Sequence, residues 1–301
     1  MTDSKLNRAD LYQTVTDRII SQLEAGTVPW VQPWRNNVAG AAIALPHNAA
    51  TGRNYSGVNV LLLWVHGMAV GHRSHGWLTY KQAAELGGHV RAGERGVHVV
   101  YADRFIPKAE RAKPEDDQRA VYFLKAYTVF NREQCDGLPA APDAPPAPTM
   151  PELHEAADRL IRNSGARIAV AGNRAYYDIG RDCIAVPPIE AYEPNAINWY
   201  RTTLHELTHW TGAEHRLARK FANRHGSPDY AREELVAEMG AAFTCAALGI
   251  EPTVRHADYI GSWLSVLRED NRAIISAASQ ASKAADYLLK FADVAELKAA
   301  A

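Results

Sequence analysis

Few five-residue stretches dictate a backbone as firmly as His205-Glu206-Leu207-Thr208-His209. Two imidazoles four positions apart reach one ion together when the backbone between them is helical, because residues four apart then share a face. Glu206 lies about 100° round such a helix from His205, where its carboxylate reaches a water at the ion rather than the ion itself. Two neutral nitrogen ligands, an open position and a base are what a zinc hydrolase needs. The flanks agree: Ile197, Trp199, Tyr200, Thr203, Leu204 and Leu207 recur at helical spacing. Pro194 and Asn195 supply a start signal and Gly212 a stop. The expectation is one Zn2+ per chain, or another divalent ion such as Mn2+, held by His205 and His209 with Glu206 as catalytic base.

Two residues compete to be the third ligand. Reading on from the motif, His205 to His215 fits H-E-x-x-H-x-x-G-x-x-H, with Gly212 as the turn and His215 as the ligand. That pattern also needs a methionine turn under the metal. Met239, the nearby downstream methionine, sits instead in a helical pattern with Leu235 and Phe243. The rival is Glu234, which shares a helix face with Glu238. The first carboxylate can bind the ion while the second accepts the N–H of a ligand histidine and fixes its tautomer. The reading favours Glu234, with Glu238 behind it. Tyr200, Tyr230 and Tyr259 are candidate donors to an oxyanion. The strand expected at Ile184–Val186 is a candidate to pair with an extended peptide.

The expected fold class is α+β in two domains. Residues 1–136 form an α+β domain. Residues 137–151 form a Pro/Ala-rich linker, whose six prolines favour a stiff extended spacer. Residues 152–301 form a mainly helical, zincin-like domain with a small sheet. In the first, Leu11 to Leu23 mark an amphipathic helix ending at Gly26, Asn59–Val65 begins another, and Thr79 caps a short one ended by Gly87-Gly88. Val97–Tyr101 and Val121–Phe130 read as paired strands. In the second, helices are expected near 152–162, 230–248, 258–270 and 272–297, with three short strands between 167 and 186. Pro107 to Arg119 is charged, nearly devoid of apolar side chains, and reads as an exposed loop. The three widely spaced cysteines read as reduced thiols, and no apolar run reaches transmembrane length. The chain is therefore expected to be cytoplasmic, with no membrane partner.

Charge is nearly balanced overall, but residues 1–136 carry 16 basic against 13 acidic side chains and the remainder 17 against 21. Basic residues in the first part interleave with Trp30, Trp34, Trp64, Trp77 and several tyrosines. Aromatics that stack on bases, beside cations that meet phosphates, suit sequence-tolerant binding of single strands. The same tryptophans equally suit a hydrophobic core. The best local candidate is Thr51 to Asn59, where two glycines allow close backbone approach and Arg53, Asn54, Tyr55 and Asn59 offer polar and stacking contacts. Trp34, Trp77 and Lys81 complete the candidate surface for single-stranded DNA.

These residues also carry a resemblance. Thr16–Trp30, Gln32-Pro33-Trp34, Asn48, Thr51–Tyr55, Gly57, Asn59, Trp77–Gln82, Gly87-Gly88 and Val129–Cys135 resemble the N-terminal domain of ArdC-type antirestriction proteins. His205–Gly212, Arg216-Leu217 and Glu233–Glu238 are similar to that family's zincin-like domain, and His215 lies outside its pattern. The resemblance implies a plasmid-encoded protein acting during conjugation. It implies single-stranded DNA binding by the first domain, protection of incoming DNA from restriction, and a metallopeptidase as the second. The implied protein substrate is bound to DNA or part of the restriction machinery. The same first module occurs in plasmid primases. The alternative is a non-catalytic DNA-binding shield with a structural or vestigial metal site. An intact Glu206 favours the enzyme, because a structural site has no use for a base.

Overall fold

The computed structural model describes residues 8–31, 43–107, 121–140, 148–221, 227–252 and 259–292. Trp34, most of the charged 107–119 segment and the centre of the proline-rich linker lie outside them. Among the described residues, nine strands and α-helices precede the linker and a tenth opens within its last residues. They are α1 (Arg8–Glu24), β1 (His47–Asn48), α2 (Val58–Val70), β2 (Gly76–Thr79), α3 (Tyr80–Glu85), β3 (His89–Val90), β4 (Val97–Phe105), β5 (Val121–Asn131), β6 (Cys135–Asp136) and α4 (Met150–Asn163). The four-stranded sheet runs β1-β2-β5-β4, and β3 pairs with β6. The long β4–β5 pair is antiparallel, with Val97 opposite Val129 and Tyr101 opposite Lys125. Thr79 caps α3 as expected, and does so through a reciprocal pair with Gln82.

The chain continues through β7 (Arg167–Val170), β8 (Tyr176–Asp178), β9 (Cys183–Val186), α5 (Ile197–Trp210), α6 (Pro228–Ala247), α7 (Ile260–Glu269) and α8 (Ala273–Leu289). Two domains of mixed α and β content are therefore present, and the second is mainly helical. One expectation is corrected. The strand at Ile184–Val186 is the middle of the order β7-β9-β8, parallel to β7 and antiparallel to β8. Both its edges are already hydrogen-bonded, so it has none to offer a peptide.

The core does not respect the proline-rich boundary. α2 is apolar over most of its surface, with Asn59 and His66 as its polar side chains, and a helix so apolar needs cover on more than one face. Its Leu63 faces Trp77, Val97, Val99 and Val129 of the sheet. Its Leu61 and Trp64 join a cluster that also takes in Ile19 of α1, Leu235 and Phe243 of α6, Trp263 of α7 and Ile274 of α8. Trp64 packs edge-on to Phe243 at 5.7 Å between ring centroids, and Trp30 packs the same way on Trp263 at 5.4 Å. Polar stitches follow the same seam. The Thr16 hydroxyl donates to the Asn271 carbonyl at 2.7 Å, and the Gly57 N–H donates to the Ser282 hydroxyl at 2.7 Å. The linker joins two parts that already share one hydrophobic interior.

α6 is the common element. It is buried along most of its length, yet it carries Glu233, Glu234 and Glu238. Buried carboxylates need partners, and α5 supplies them. The two helices approach closely at Gly240: a Cβ there would stand 2.5 Å from Cγ2 of the buried Thr208. That contact sets α6 tight against the histidine-bearing face of α5.

Candidate metal centre

α5 presents His205 and His209 on one buried face, as their spacing requires. Ligand atoms of His205, His209 and Glu234 all lie within 4.8 Å of one another. Nε2 of His205 stands 3.6 Å from one carboxylate oxygen of Glu234, and Nε2 of His209 stands 3.5 Å from the other. The two Nδ1 atoms face away toward other acids. Nδ1 of His205 lies 3.6 Å from Glu238, and Nδ1–H of His209 donates to Glu233 at 3.1 Å. Each ring is thus held from behind while its front nitrogen points at a shared carboxylate. Two nitrogens and one oxygen converging in this way fit a divalent ion, and the acids behind fix the tautomers that leave Nε2 free to bind it. Glu206 is buried beside His205 on the same helix.

The structure places His215 elsewhere. Its side chain is 66 % exposed, with Nε2 against Asp182 and the Arg216 guanidinium. Gly212 has a different use from a metal turn. A Cβ there would stand 2.6 Å from Phe221 and 2.8 Å from the Arg219 guanidinium, so the glycine lets that side chain pass. Met239 is a core residue of α6. Of the tyrosines, Tyr200 is stacked on His154 within the core of the second domain. Tyr230, one turn before Glu234 on α6, lies within hydrogen-bonding reach of that carboxylate and 3.2 Å from the Tyr259 hydroxyl. Burial and these neighbours push its phenol upward, so it stays protonated as a donor.

Sequence reasoning missed Glu233 as a partner. It adjoins Glu234, and only the helix geometry separates their roles: one carboxylate faces the fronts of the rings and the other the back of His209. Arg219 was missed entirely, since it lies in irregular chain with no periodic signal.

The electrostatics make a proton the metal's competitor. Burial alone would disfavour an imidazolium at His209, but the carboxylates of Glu233 and Glu234 outweigh it and hold the group up at about 10. Burial pushes Glu234 toward the neutral acid, and the two histidines overcome it and hold the carboxylate far below its usual range. The ion must therefore displace the proton on His209, and its apparent affinity should fall about tenfold for each pH unit below 10. Calorimetric titration at pH 8, in two buffers of different ionisation enthalpy, should show about one proton released per ion bound. Binding with no proton release would remove His209 from the ligand set.

The proposed DNA contacts divide. Arg53 and Asn54 are exposed on a tight loop built on Asn48, whose side chain accepts the N–H groups of Ala50 and Thr51 at 3.0 and 3.1 Å. Lys81 is exposed beside Glu85. Tyr55 is half-buried against the Leu63–Trp77 cluster. One assignment is corrected. Trp77 is only 2 % exposed, packed between α2 and the sheet, and has no face for a base. Asn59 spends its amide on the backbone of Val100, donating to its carbonyl at 2.7 Å and accepting its N–H at 2.8 Å. Trp30 and Trp64 are likewise core. Among the described residues of the first domain, Tyr80, Tyr101 and Tyr127 are exposed, the last two edge-on to each other at 6.3 Å on the β4–β5 pair. Among the described residues no helix is long and apolar enough to cross a membrane.

Comparison with known proteins covers both parts. Residues 9–130 match a family model described as the N-terminal domain of anti-restriction factor ArdC, and residues 155–280 match one described as a zincin-like metallopeptidase. An uncharacterized protein, y4eC of Sinorhizobium fredii (strain NBRC 101917 / NGR234), is 39 % identical over 285 residues, covering 93 % of this chain and 91 % of the other. Two DNA primases TraC of Escherichia coli are each 38 % identical over 93 % of this chain, which spans only 20 % and 27 % of their own lengths. The crystal structure of the antirestriction ArdC protein from plasmid R388 matches in its metal-free form, with a TM-score of 0.77 and 42 % identity. The alignment covers 94 % of this chain and 98 % of that one. Its Mn(II)-bound form matches with the same TM-score and coverage at 41 % identity.

Proposed function

The chain belongs to the ArdC family of antirestriction proteins, with that family's N-terminal domain and a zincin-like metallopeptidase domain, and from that premise we propose that it binds single-stranded DNA and hydrolyses a protein to shield incoming conjugative DNA from restriction. The observation that carries the peptidase half is the convergence of both Nε2 atoms on the Glu234 carboxylate, with Glu206 next to His205. His205, His209 and Glu234 would hold the ion. A zinc or manganese ion bound there would supply Lewis acidity, polarising a carbonyl and acidifying a water. The remaining work belongs to the chain. Glu206 takes a proton from the attacking water and returns it to the nitrogen of the broken amide bond. Glu238 and Glu233 keep the two imidazoles turned inward. Tyr230 is a protonated hydroxyl at the edge of the site, suited to donate to a developing oxyanion. The protein cleaved is one bound to DNA or part of the restriction machinery.

The DNA half rests on exposed Arg53, Asn54 and Lys81 in the first domain, and on Tyr80, Tyr101 and Tyr127 as stacking surfaces. Fluorescence polarisation with labelled oligonucleotides should show preference for single strands and a steep fall with salt. Tyr127→Ala should weaken binding by about 1–3 kcal/mol. Equal affinity for duplex would count against stacking.

Glu206→Gln, assayed for protection of a conjugating plasmid entering restricting cells, tests catalysis. Loss of the base should slow hydrolysis by about 10²–10⁴, so protection should fail while DNA binding persists. Undiminished protection would leave the protein a DNA-binding shield without a catalytic role.

A further inference from the structure

Behind the metal centre stands a cation that the reaction does not use. Arg219 follows α5 by nine residues, in a turn where Ala218 takes the left-handed conformation at φ 49°. That turn sends the chain back along the end of α5, and the Arg219 N–H donates to the Gly212 carbonyl at 2.9 Å. The guanidinium is 4 % exposed and passes through the space that Gly212 leaves open. There it forks onto both oxygens of Glu233, with Nη2 at 2.8 Å from one and Nε at 3.1 Å from the other. Its other donors reach the Thr211 hydroxyl at 2.8 Å and the Thr208 carbonyl at 2.6 Å, at the C-terminal end of the metal helix. Glu233 in turn accepts from Nδ1–H of His209.

We infer that Arg219 is a positioning residue for the metal centre, acting through Glu233 to hold the His209 ring in its metal-binding orientation. The inference rests on His205, His209 and Glu234 binding a divalent ion. The geometry has few other uses. A carboxylate that must orient a ring needs both its oxygens fixed, and a planar guanidinium fixes both at once, which an ammonium does not. A helix cap alone would not require Glu233. An ion pair buried on both sides adds little stability over apolar packing, whereas outer partners of metal-ligating histidines govern how well the site is pre-arranged.

The test is a double-mutant cycle on manganese affinity, read from the electron paramagnetic resonance of free Mn(II) over the full-length chain. Arg219→Met should raise the dissociation constant about ten- to hundred-fold. In a Glu233→Ala background the same substitution should change it by no more than about twofold. Arg219→Lys, which keeps the charge and loses the fork, should weaken binding by about tenfold and replaces the Met variant if that one fails to fold. An equal loss in both backgrounds would show that Arg219 only caps the helix and would overturn the inference. Failure of the unsubstituted chain to bind manganese would strike the metal-centre reading itself.

Discussion

Glu234→Ala should abolish stoichiometric retention of a divalent ion, while His215→Ala should leave it intact. Glu234 is the point on which both imidazole Nε2 atoms converge, at 3.6 and 3.5 Å. Its side chain is buried, so no solvent carboxylate can replace it. Removing the anionic partner of a buried cation costs about 3–5 kcal/mol, a loss of roughly two to four powers of ten in affinity. His215 lies outside this cluster, against Asp182 and Arg216. Metal analysis of the two purified variants decides between them, and the reverse result would return the third ligand to His215. Circular dichroism of the metal-free Glu234→Ala chain should show its helices retained, because the hydrophobic face of α6 is untouched.

Trp64→Ala should destabilise both parts of the molecule together. The indole fills the seam between α2 and α6, edge-on to Phe243, with its N–H toward the Ala44 carbonyl at 3.3 Å. Truncating a buried tryptophan costs about 3–5 kcal/mol. Because α6 also carries Glu234, loosening its far face should be felt at the metal site. Chemical denaturation should give one transition, shifted alike whether it is followed by tryptophan fluorescence or by metal release. Two separate transitions, with only the first displaced, would mean that the parts fold independently and that the shared core adds little.

Much of the helical framework could be read from residue order because its signals are local. Thr79 announces the start of α3, and the apolar rows of α1 and α5 fix their faces. The paired imidazoles fix which side of α5 carries ligands. Glu234 could be proposed because buried carboxylates on a helix need a partner, yet separating it from His215 required the crossing of α5 and α6 at Gly240 and Thr208. That crossing is long-range, and no spacing in the chain encodes it. The tryptophans misled for the same reason. Trp77 is aromatic in a basic neighbourhood, but α2 covers it. Asn59 holds the backbone of Val100 through its amide, a role its place in the sequence does not announce. The linker prolines suggested a spacer between separate bodies, and they carry no information on what packs across them. Arg219 lies where neither period nor cap leaves a mark.

Manganese-edge anomalous diffraction from crystals of the full-length chain soaked in Mn(II) would test the central claim most directly. The expected result is a single peak per chain lying among Nε2 of His205, Nε2 of His209 and the Glu234 carboxylate, absent from Glu234→Ala crystals. A peak at His215, or a blank map at the paired imidazoles with the ion bound elsewhere, would contradict it.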